Sequence, residues 1–574
     1  MVDLDDLRDA RLPDVESTGA AWRELAGRFE GLERDAVAEL IGPIHGPKWE
    51  GDAAKAAFRH IDGVDEGFGL LAEQARAVGA LIDTAASRFA SLQRQLEDIE
   101  QDARAAGARV LADGSVEPPY LTAAESADEM SALTAARRNN ELAQGFADRI
   151  AAVLVEATRA DEEYANALTK YVHPPSGVMS PSEVLNAARD ARDNAELLGA
   201  DKSKIPEGKS AWTVNEWWNG LTADQQQAYL TAYPNEIGAL NGIPATARDQ
   251  ANRERLRQYL AAMEVNAERL YGQPGGRVFD ESYEPAKKLQ DELEASEYGT
   301  ESHHLYLLGF DPDFGETHEG RAIVAVGDPD TAENVATMVP GLNTELEDAP
   351  TLSLHRAENL VDAAEARTFD GKKTSVIAWL DYDAPEGYTD DLNASVITTG
   401  RAEQGAARLD AFVNGLHATH EGQAHYTAVG HSYGSTTVGY AASHNDGLAV
   451  DDIVVAGSPG TTVDSASDLN IDRHHVWAGQ AADDQIRYAG GLTLGKDPAD
   501  LDFGANRFHV DTHGHGDYWE DNTKSVAAQA AVVVGDYDYF TDRPGTLDHT
   551  SDQGVNARQN TDTFHQRGPY GAPR

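Results

Sequence analysis

The sequence of 574 residues contains no cysteine. That excludes disulfides, thiolate metal sites and a cysteine nucleophile, and leaves the redox compartment open. Long apolar runs are missing as well: no stretch approaches the roughly 20 residues that span a bilayer, and the start, MVDLDDLRDARLPDV, lacks the apolar core of a Sec signal peptide. The expectation is a cytoplasmic protein, or one secreted without a Sec signal. Basic side chains are scarce, 47 against 97 acidic ones, for a net charge of −50. Such a charge keeps the molecule dispersed and repels phosphate, so neither nucleic acid nor an acidic membrane is an expected partner. There is no Walker-type loop, and Gly430, Gly434 and Gly439 do not form G-x-G-x-x-G, so no cofactor is indicated.

What is present changes along the chain. The length implies two to four domains. The first 170 residues are rich in Ala, Glu, Arg and Leu. Trp22, Leu25, Phe29 and Leu32 fall on one helical stripe, and Val78, Ile82, Ala85, Phe89, Leu92, Leu96 and Ile99 on a longer one. Between them Pro47, Trp49 and Gly51 break one helix and open the next, which predicts a helical hairpin. After a second break at 112–120 another helical pattern runs from about 121 to 170, so residues 1–171 read as a helical bundle. Residues 172–300 read as a linker and a small helical module, in which Trp217 and Trp218 anchor helices on one another.

From about residue 303 short β-branched or apolar runs alternate with helical patterns: 304–310, 321–327, 334–341, 375–382, 425–430, 452–457, 474–479 and 506–512, with amphipathic stretches at about 400–417, 434–444 and 516–534. Alternation of this kind predicts a mostly parallel sheet covered by helices on both faces over 301–540. The stretch 541–574 is polar and rich in Gly and Pro, and reads as a disordered tail.

Within this alternation, TAVGHSYGSTTVGYAA (427–442) passes from an apolar run through Gly430-His431-Ser432-Tyr433-Gly434 into a helix-compatible stretch. A serine raised above a sheet edge needs small neighbours for the tight strand-to-helix turn, and this G-x-S-x-G sits in that context. A serine hydroxyl becomes a nucleophile only when a base takes its proton and a carboxylate orients the base. Chain order then points to Asp483 or Asp484, after the run 474–479, and to His513 or His515, after the run 506–512. The set His509, Asp511, His513, His515 and Asp517 could also hold a metal, but alternate side chains of an extended segment diverge, and no metal is expected. Ser458 follows a strand too, yet Pro459 removes the N–H that an elbow would use there.

LLGFDPDFG, AVGDPDTAENVATMVPG, WLDYDAPEG, GHSYGS, ADDQI, LGKDP and HGDYWE, with WWNGL…NEIGALNGIPATARDQAN upstream, resemble an actinobacterial α/β-hydrolase family of uncharacterised function over about 211–530. The resemblance implies an α/β-hydrolase fold preceded by an all-α helical bundle, with Ser432 as nucleophile, Asp484 as acid and His515 as base. Asp484-Gln485-Ile486 stands where members often have D-P-I, and His515-Gly516-Asp517-Tyr518-Trp519 where they often have H-S-x-Y-W. Those departures keep Asp483 as the substitute acid. In such a fold the oxyanion hole is expected from Tyr433 N–H and from the loop after TMVPG, with Gly341, Leu342 and Asn343 as candidates; Pro340 cannot donate. Asn343, Tyr382 and Asp383 are the expected substrate contacts. The function implied is a serine hydrolase of the esterase or lipase type, acting on a small-molecule or lipid-like ester.

Trp49-Glu50-Gly51 between two long helices also resembles the WxG hairpins of type VII secretion proteins. That resemblance implies a secretion partner or self-association through the helical region, and the alternative of an interaction or effector protein whose hydrolase domain is inactive or secondary. The export tag expected of such hairpins, Tyr followed four residues later by an acid, is missing, since Tyr120, Tyr164 and Tyr171 precede Ala124, Leu168 and Pro175 at that spacing.

Overall fold

The computed structural model describes residues 2–36, 52–171, 180–271, 282–297, 300–314, 320–368, 371–385, 396–488 and 493–542. The Trp49-Glu50-Gly51 turn and the expected tail from residue 543 lie outside the described residues. Two compact units emerge: Met1–Asp201 with Ala223–Ala228, and Lys202–Thr222 with the chain from Tyr229 onward. No described helix is long and apolar enough to cross a membrane.

The first unit is helical, built on Leu12–Ala36, the 54-residue helix Asp52–Ala105 and Glu129–Thr169, with a two-residue antiparallel ribbon pairing Arg109–Val110 and Val116–Glu117. The third long helix starts at Glu129, later than its pattern predicts, because Asp128 caps it by accepting the Ser131 N–H. Its core joins Leu92, Leu96 and Ile99 to Phe146, Ile150 and Val153. The Trp22 stripe is not the buried face. Trp22 and Leu32 stay exposed while Ala26 is buried, and the Arg23–Asp83 and Arg76–Glu30 ion pairs tie this helix to the 54-residue one. Small residues let the backbones approach: a Cβ added at Gly79 would stand 3.0 Å from the Gly19 carbonyl.

The second unit opens with short helices in which Trp218 is buried and the Trp217 ring meets Tyr229 edge-on at 5.1 Å. Its sheet has eight strands: β1 Leu305–Asp311, β2 Arg321–Val326, β3 Asn334–Val339, β4 Thr374–Trp379, β5 His425–His431, β6 Asp452–Ala456, β7 Val476–Gly479 and β8 Asn506–Arg507. The order is β8-β7-β6-β5-β3-β4-β2-β1, with β2 antiparallel to both neighbours and the rest parallel. β3 to β7 are buried on both faces, so they read as unbroken apolar runs rather than alternation. One face, with Ala336, Met338, Val429, Val454 and Trp477, packs under the helices Leu354–Glu365 and Lys524–Val533. The other, with Val335, Ala428, Ile453, Val455 and Ala478, packs under Gly400–Thr419 and Tyr433–Ser443.

β8 is much shorter than the run 506–512 predicts. Phe508 N–H still reaches the Ala478 carbonyl at 3.1 Å, and beyond it the chain leaves the sheet. At the opposite, N-terminal ends of the parallel strands lies a polar cluster around a buried carboxylate. Asp452, fully buried at the start of β6, accepts from Trp477 Nε1 at 2.8 Å and from the Tyr537 hydroxyl at 2.5 Å, and faces His475 Nδ1 at 3.1 Å and His425 Nε2 at 2.9 Å. His425 Nδ1 meets the Val533 carbonyl at 2.8 Å. Acceptor oxygens thus stand at both nitrogens of that ring, an arrangement that favours its protonated form beside the Asp452 carboxylate.

Candidate active site

The order β3-β5-β6 brings three strand ends together at the C-terminal edge of the sheet, and β5 delivers Ser432. Its backbone, at φ 53 and ψ −129, occupies a region that non-glycine residues rarely adopt, and its N–H donates to the Ala456 carbonyl at 3.1 Å. The turn is possible only with no side chain at its hinge. A Cβ at Gly434 would lie 2.1 Å from the Val339 carbonyl, and one at Gly430 would lie 2.5 Å from Ser435 Cα. Ser435 is buried behind the elbow, its hydroxyl donating to the Ser432 carbonyl at 2.5 Å and 2.6 Å from that of Ser458. Ser458 is thereby a buried structural hydroxyl.

Ser432 Oγ lies 2.8 Å from His515 Nε2, and His515 Nδ1 lies 2.8 Å from Asp484 Oδ2. A neutral imidazole that gives Nδ1–H to the carboxylate presents a bare Nε2 to the hydroxyl, which is the tautomer a general base needs. Asp484 is buried, which raises its pKa. The His515 and Tyr518 hydrogen bonds and the Ile486 N–H, 2.9 Å from Oδ1, outweigh burial and leave it below the ordinary carboxylate value. Asp483 takes no part in that line: it is exposed and accepts the Gly514 N–H at 2.9 Å.

The loop after β3 comes up against the serine. A Cβ at Gly341 would stand 2.6 Å from Ser432 Cβ and 3.0 Å from Oγ. Among the described residues nothing accepts the N–H of Gly341, Leu342 or Tyr433, three of the four expected oxyanion candidates. Asn343 is different, because its N–H is already given to the Pro385 carbonyl at 3.0 Å. Tyr382 and Asp383, expected as substrate contacts, are engaged by the protein itself. Tyr382 is 2% exposed and its hydroxyl donates to the Pro340 carbonyl, tying it to the loop after β3. Asp383 is ion-paired with the buried Arg401. The reason is local: Leu380, Tyr382 and Ala384 after β4 are buried, so residues that follow this strand end are packed rather than presented.

The residues grouped as a metal candidate disperse. Asp511 accepts the Lys524 N–H at the start of Lys524–Val533, His513 lies 3.4 Å from Asp483, and His515 faces the serine. Among the described residues no group of three or more His, Asp or Glu side chains has a metal-binding arrangement. Two contributors carry no assigned role in the sequence reading. Tyr518, fully buried, donates its hydroxyl to Asp484 Oδ2 at 2.6 Å and accepts the Ala481 N–H at 3.1 Å. His431, directly before Ser432, reaches the His515 carbonyl at 2.7 Å. Tyr518 stands in the quoted HGDYWE motif, whereas nothing in the sequence signals the reach of His431.

The family model described as alpha/beta hydrolase matches residues 315–494, a span that includes Ser432 and Asp484 and ends before His515. The fold is an α/β-hydrolase fold preceded by helices. The chain is also similar to the uncharacterized protein Rv2079 of Mycobacterium tuberculosis, at 29% identity over 515 residues that cover 81% of this chain and 74% of the relative. It is similar to the uncharacterized protein Mb0988c of Mycobacterium bovis, at 37% identity over 166 residues, 27% of this chain and 58% of that one. The chain thus carries an alpha/beta hydrolase domain with mycobacterial relatives.

Proposed function

We propose that the protein is a serine hydrolase that cleaves an ester or related acyl bond through an acyl-enzyme. The observation that carries this reading is the line of two 2.8 Å contacts from Ser432 through His515 to Asp484. Ser432 Oγ attacks the acyl carbon while His515 Nε2 takes its proton, and Asp484 stabilises the imidazolium. The oxyanion is held by the N–H of Tyr433 together with that of Leu342 or Gly341. His515 then protonates the leaving group, the C–O bond breaks, and a water activated by the same histidine releases the acid.

A small-molecule ester with an apolar acyl group fits best. Leu342, beside the nucleophile, is 36% exposed, and Ile397, next to the carbonyl that accepts the Tyr433 hydroxyl, is 42% exposed. The buried Arg401 is neutralised by Asp383, and the surrounding protein is strongly acidic, which disfavours anionic substrates. The test is a fluorophosphonate probe with a series of p-nitrophenyl esters. Labelling at Ser432 and turnover, both abolished in Ser432→Ala, support the reading; an unlabelled wild-type protein ends it.

A second reading, that the helical unit docks a protein partner or a second copy, draws on its exposed apolar side chains. Tyr120, Met130, Leu133 and Val155 are 91%, 72%, 60% and 70% exposed. Burial of such groups is what a partner surface supplies. Sedimentation of the full chain against a variant with these four changed to serine tests it.

A further inference from the structure

The histidine facing Ser432 sits on a segment without regular secondary structure, yet three consecutive residues there are each tied to a side chain from elsewhere. Asp483 Oδ1 accepts the Gly514 N–H at 2.9 Å, His431 Nε2 lies 2.7 Å from the His515 carbonyl oxygen, and Arg356 Nη2 donates to the Gly516 carbonyl at 2.9 Å. The middle tie is unlike the others, since it comes from the residue that precedes the nucleophile.

A carbonyl oxygen only accepts, so the His431 Nε2 must carry the hydrogen. The ring is enclosed: Trp519 meets it edge-on at 5.2 Å, His515 lies 5.0 Å away and Tyr518 5.9 Å. Burial pushes its pKa down to about 3, with the Arg356 and His515 charges adding to the effect. His431 is therefore a neutral donor through the whole pH range in which esters are handled. That matters because His515 becomes a cation when it takes the serine proton, and a second cation one ring away would oppose the transfer.

We propose that His431 is a positioning residue, whose Nε2–H bond to the His515 carbonyl sets the distance between the base and Ser432. The inference rests on the serine-hydrolase reading above. The chain of contacts closes on itself: Ser432 Oγ meets His515 Nε2, the His515 backbone meets His431, and His431 is joined by one peptide bond to Ser432. A shift of the His515 backbone away from Ser432 must stretch that bond. Misplacement of a reacting group by about 1 Å can cost on the order of 10²-fold in rate.

The experiment compares His431→Gln with His431→Asn in the full chain. A glutamine amide nitrogen falls about where the histidine Nε2 stands, whereas that of asparagine stops near the Nδ1 position; both are neutral and polar. Fluorophosphonate labelling rates, ester kcat and KM, and thermal midpoints are measured for each. The expected result is labelling by His431→Gln within about threefold of wild type, with His431→Asn losing about 10²-fold in kcat at nearly constant KM and a native midpoint. Wild-type rates in His431→Asn overturn the proposal, as do two variants equally slow with native midpoints. If His431→Asn does not fold, His431→Gln decides alone, and a loss of about 30-fold or more in a folded His431→Gln overturns it. A wild-type protein that takes no label removes the hydrolase reading and the positioning role with it, and is recognised by failing before any variant is made.

Discussion

Tyr518 and His515 meet on one oxygen: the phenol donates to Asp484 Oδ2 at 2.6 Å and the imidazole Nδ1 stands 2.8 Å from the same atom. The carboxylate is thus stabilised from two sides before any proton moves. Tyr518→Phe keeps the His515 contact and strips one donor from a buried carboxylate. Hydrogen bonds to charged groups contribute about 1.5–3 kcal/mol, so kcat/KM should fall roughly 10- to 100-fold. The acid limb of the rate profile should also move up in pH, because Asp484, held below its ordinary value, loses part of what holds it there. Steady-state ester hydrolysis between pH 4 and 9 reads both effects, in about half-unit steps.

The two adjacent aspartates should separate cleanly. Asp484→Asn presents an amide where the carboxylate orients His515, and the rate should drop by about 10⁴-fold. Asp483→Asn keeps a carbonyl oxygen for the Gly514 N–H and should stay within about threefold of wild type. Parallel kinetics on the two variants check the assignment; a larger loss in Asp483→Asn would reverse it.

Gly341 leaves no room for even one methyl. The Cβ of alanine would stand 2.6 Å from Ser432 Cβ, so either the oxyanion loop or the nucleophile must give way. Gly341→Ala should slow fluorophosphonate labelling by about 10²-fold or more, in the range of a lost oxyanion donor. Overpacking should lower stability by about 1–3 kcal/mol, read from urea unfolding.

The cluster around Asp452 makes stability depend on pH in a definite direction. His425 and His475 are partly buried, which alone would lower their pKa values, yet their bonds to Asp452 raise both above the ordinary histidine value. Their contribution is therefore complete below about pH 6.5 and lost as pH rises through the raised values. Asp452 is displaced downward, since its histidine partners outweigh burial; its contribution holds above about pH 3.9 and is lost as pH falls through its depressed value. Asp452→Asn should destabilise by about 3–5 kcal/mol and flatten the alkaline fall in stability. Unfolding midpoints from pH 4 to 9, taken at about one-unit steps, test this.

The strands of the sheet were legible because parallel strands buried on both faces read as short apolar runs, and β3 to β7 begin within two residues of those runs. β8 misled, since residues 509–512 keep the composition of a strand after leaving the sheet. Chain order after the strands narrowed the reading to Ser432, Asp483 or Asp484, and His513 or His515, and the family resemblance chose Asp484 and His515, the two that lie in line with Ser432. Tyr382 and Asp383 follow a strand as well, but whether such residues face outward depends on what lies over them. His431 and Arg356 act on backbone atoms 84 and 160 positions away, and no local pattern carries that information. In the helical unit periodicity gave the helices but not the buried side of the first, which ion pairs and close glycine contacts decided.

The left-handed backbone at Ser432 makes the site a spring held under load. A non-glycine residue in such a conformation costs on the order of 1–3 kcal/mol, and glycine there would release it. Ser432→Gly should therefore melt several degrees above the wild type while doing no chemistry. On the hydrolase reading, selection for thermal tolerance alone would run downhill toward a protein without its nucleophile, and only a demand for turnover would keep this chain wound.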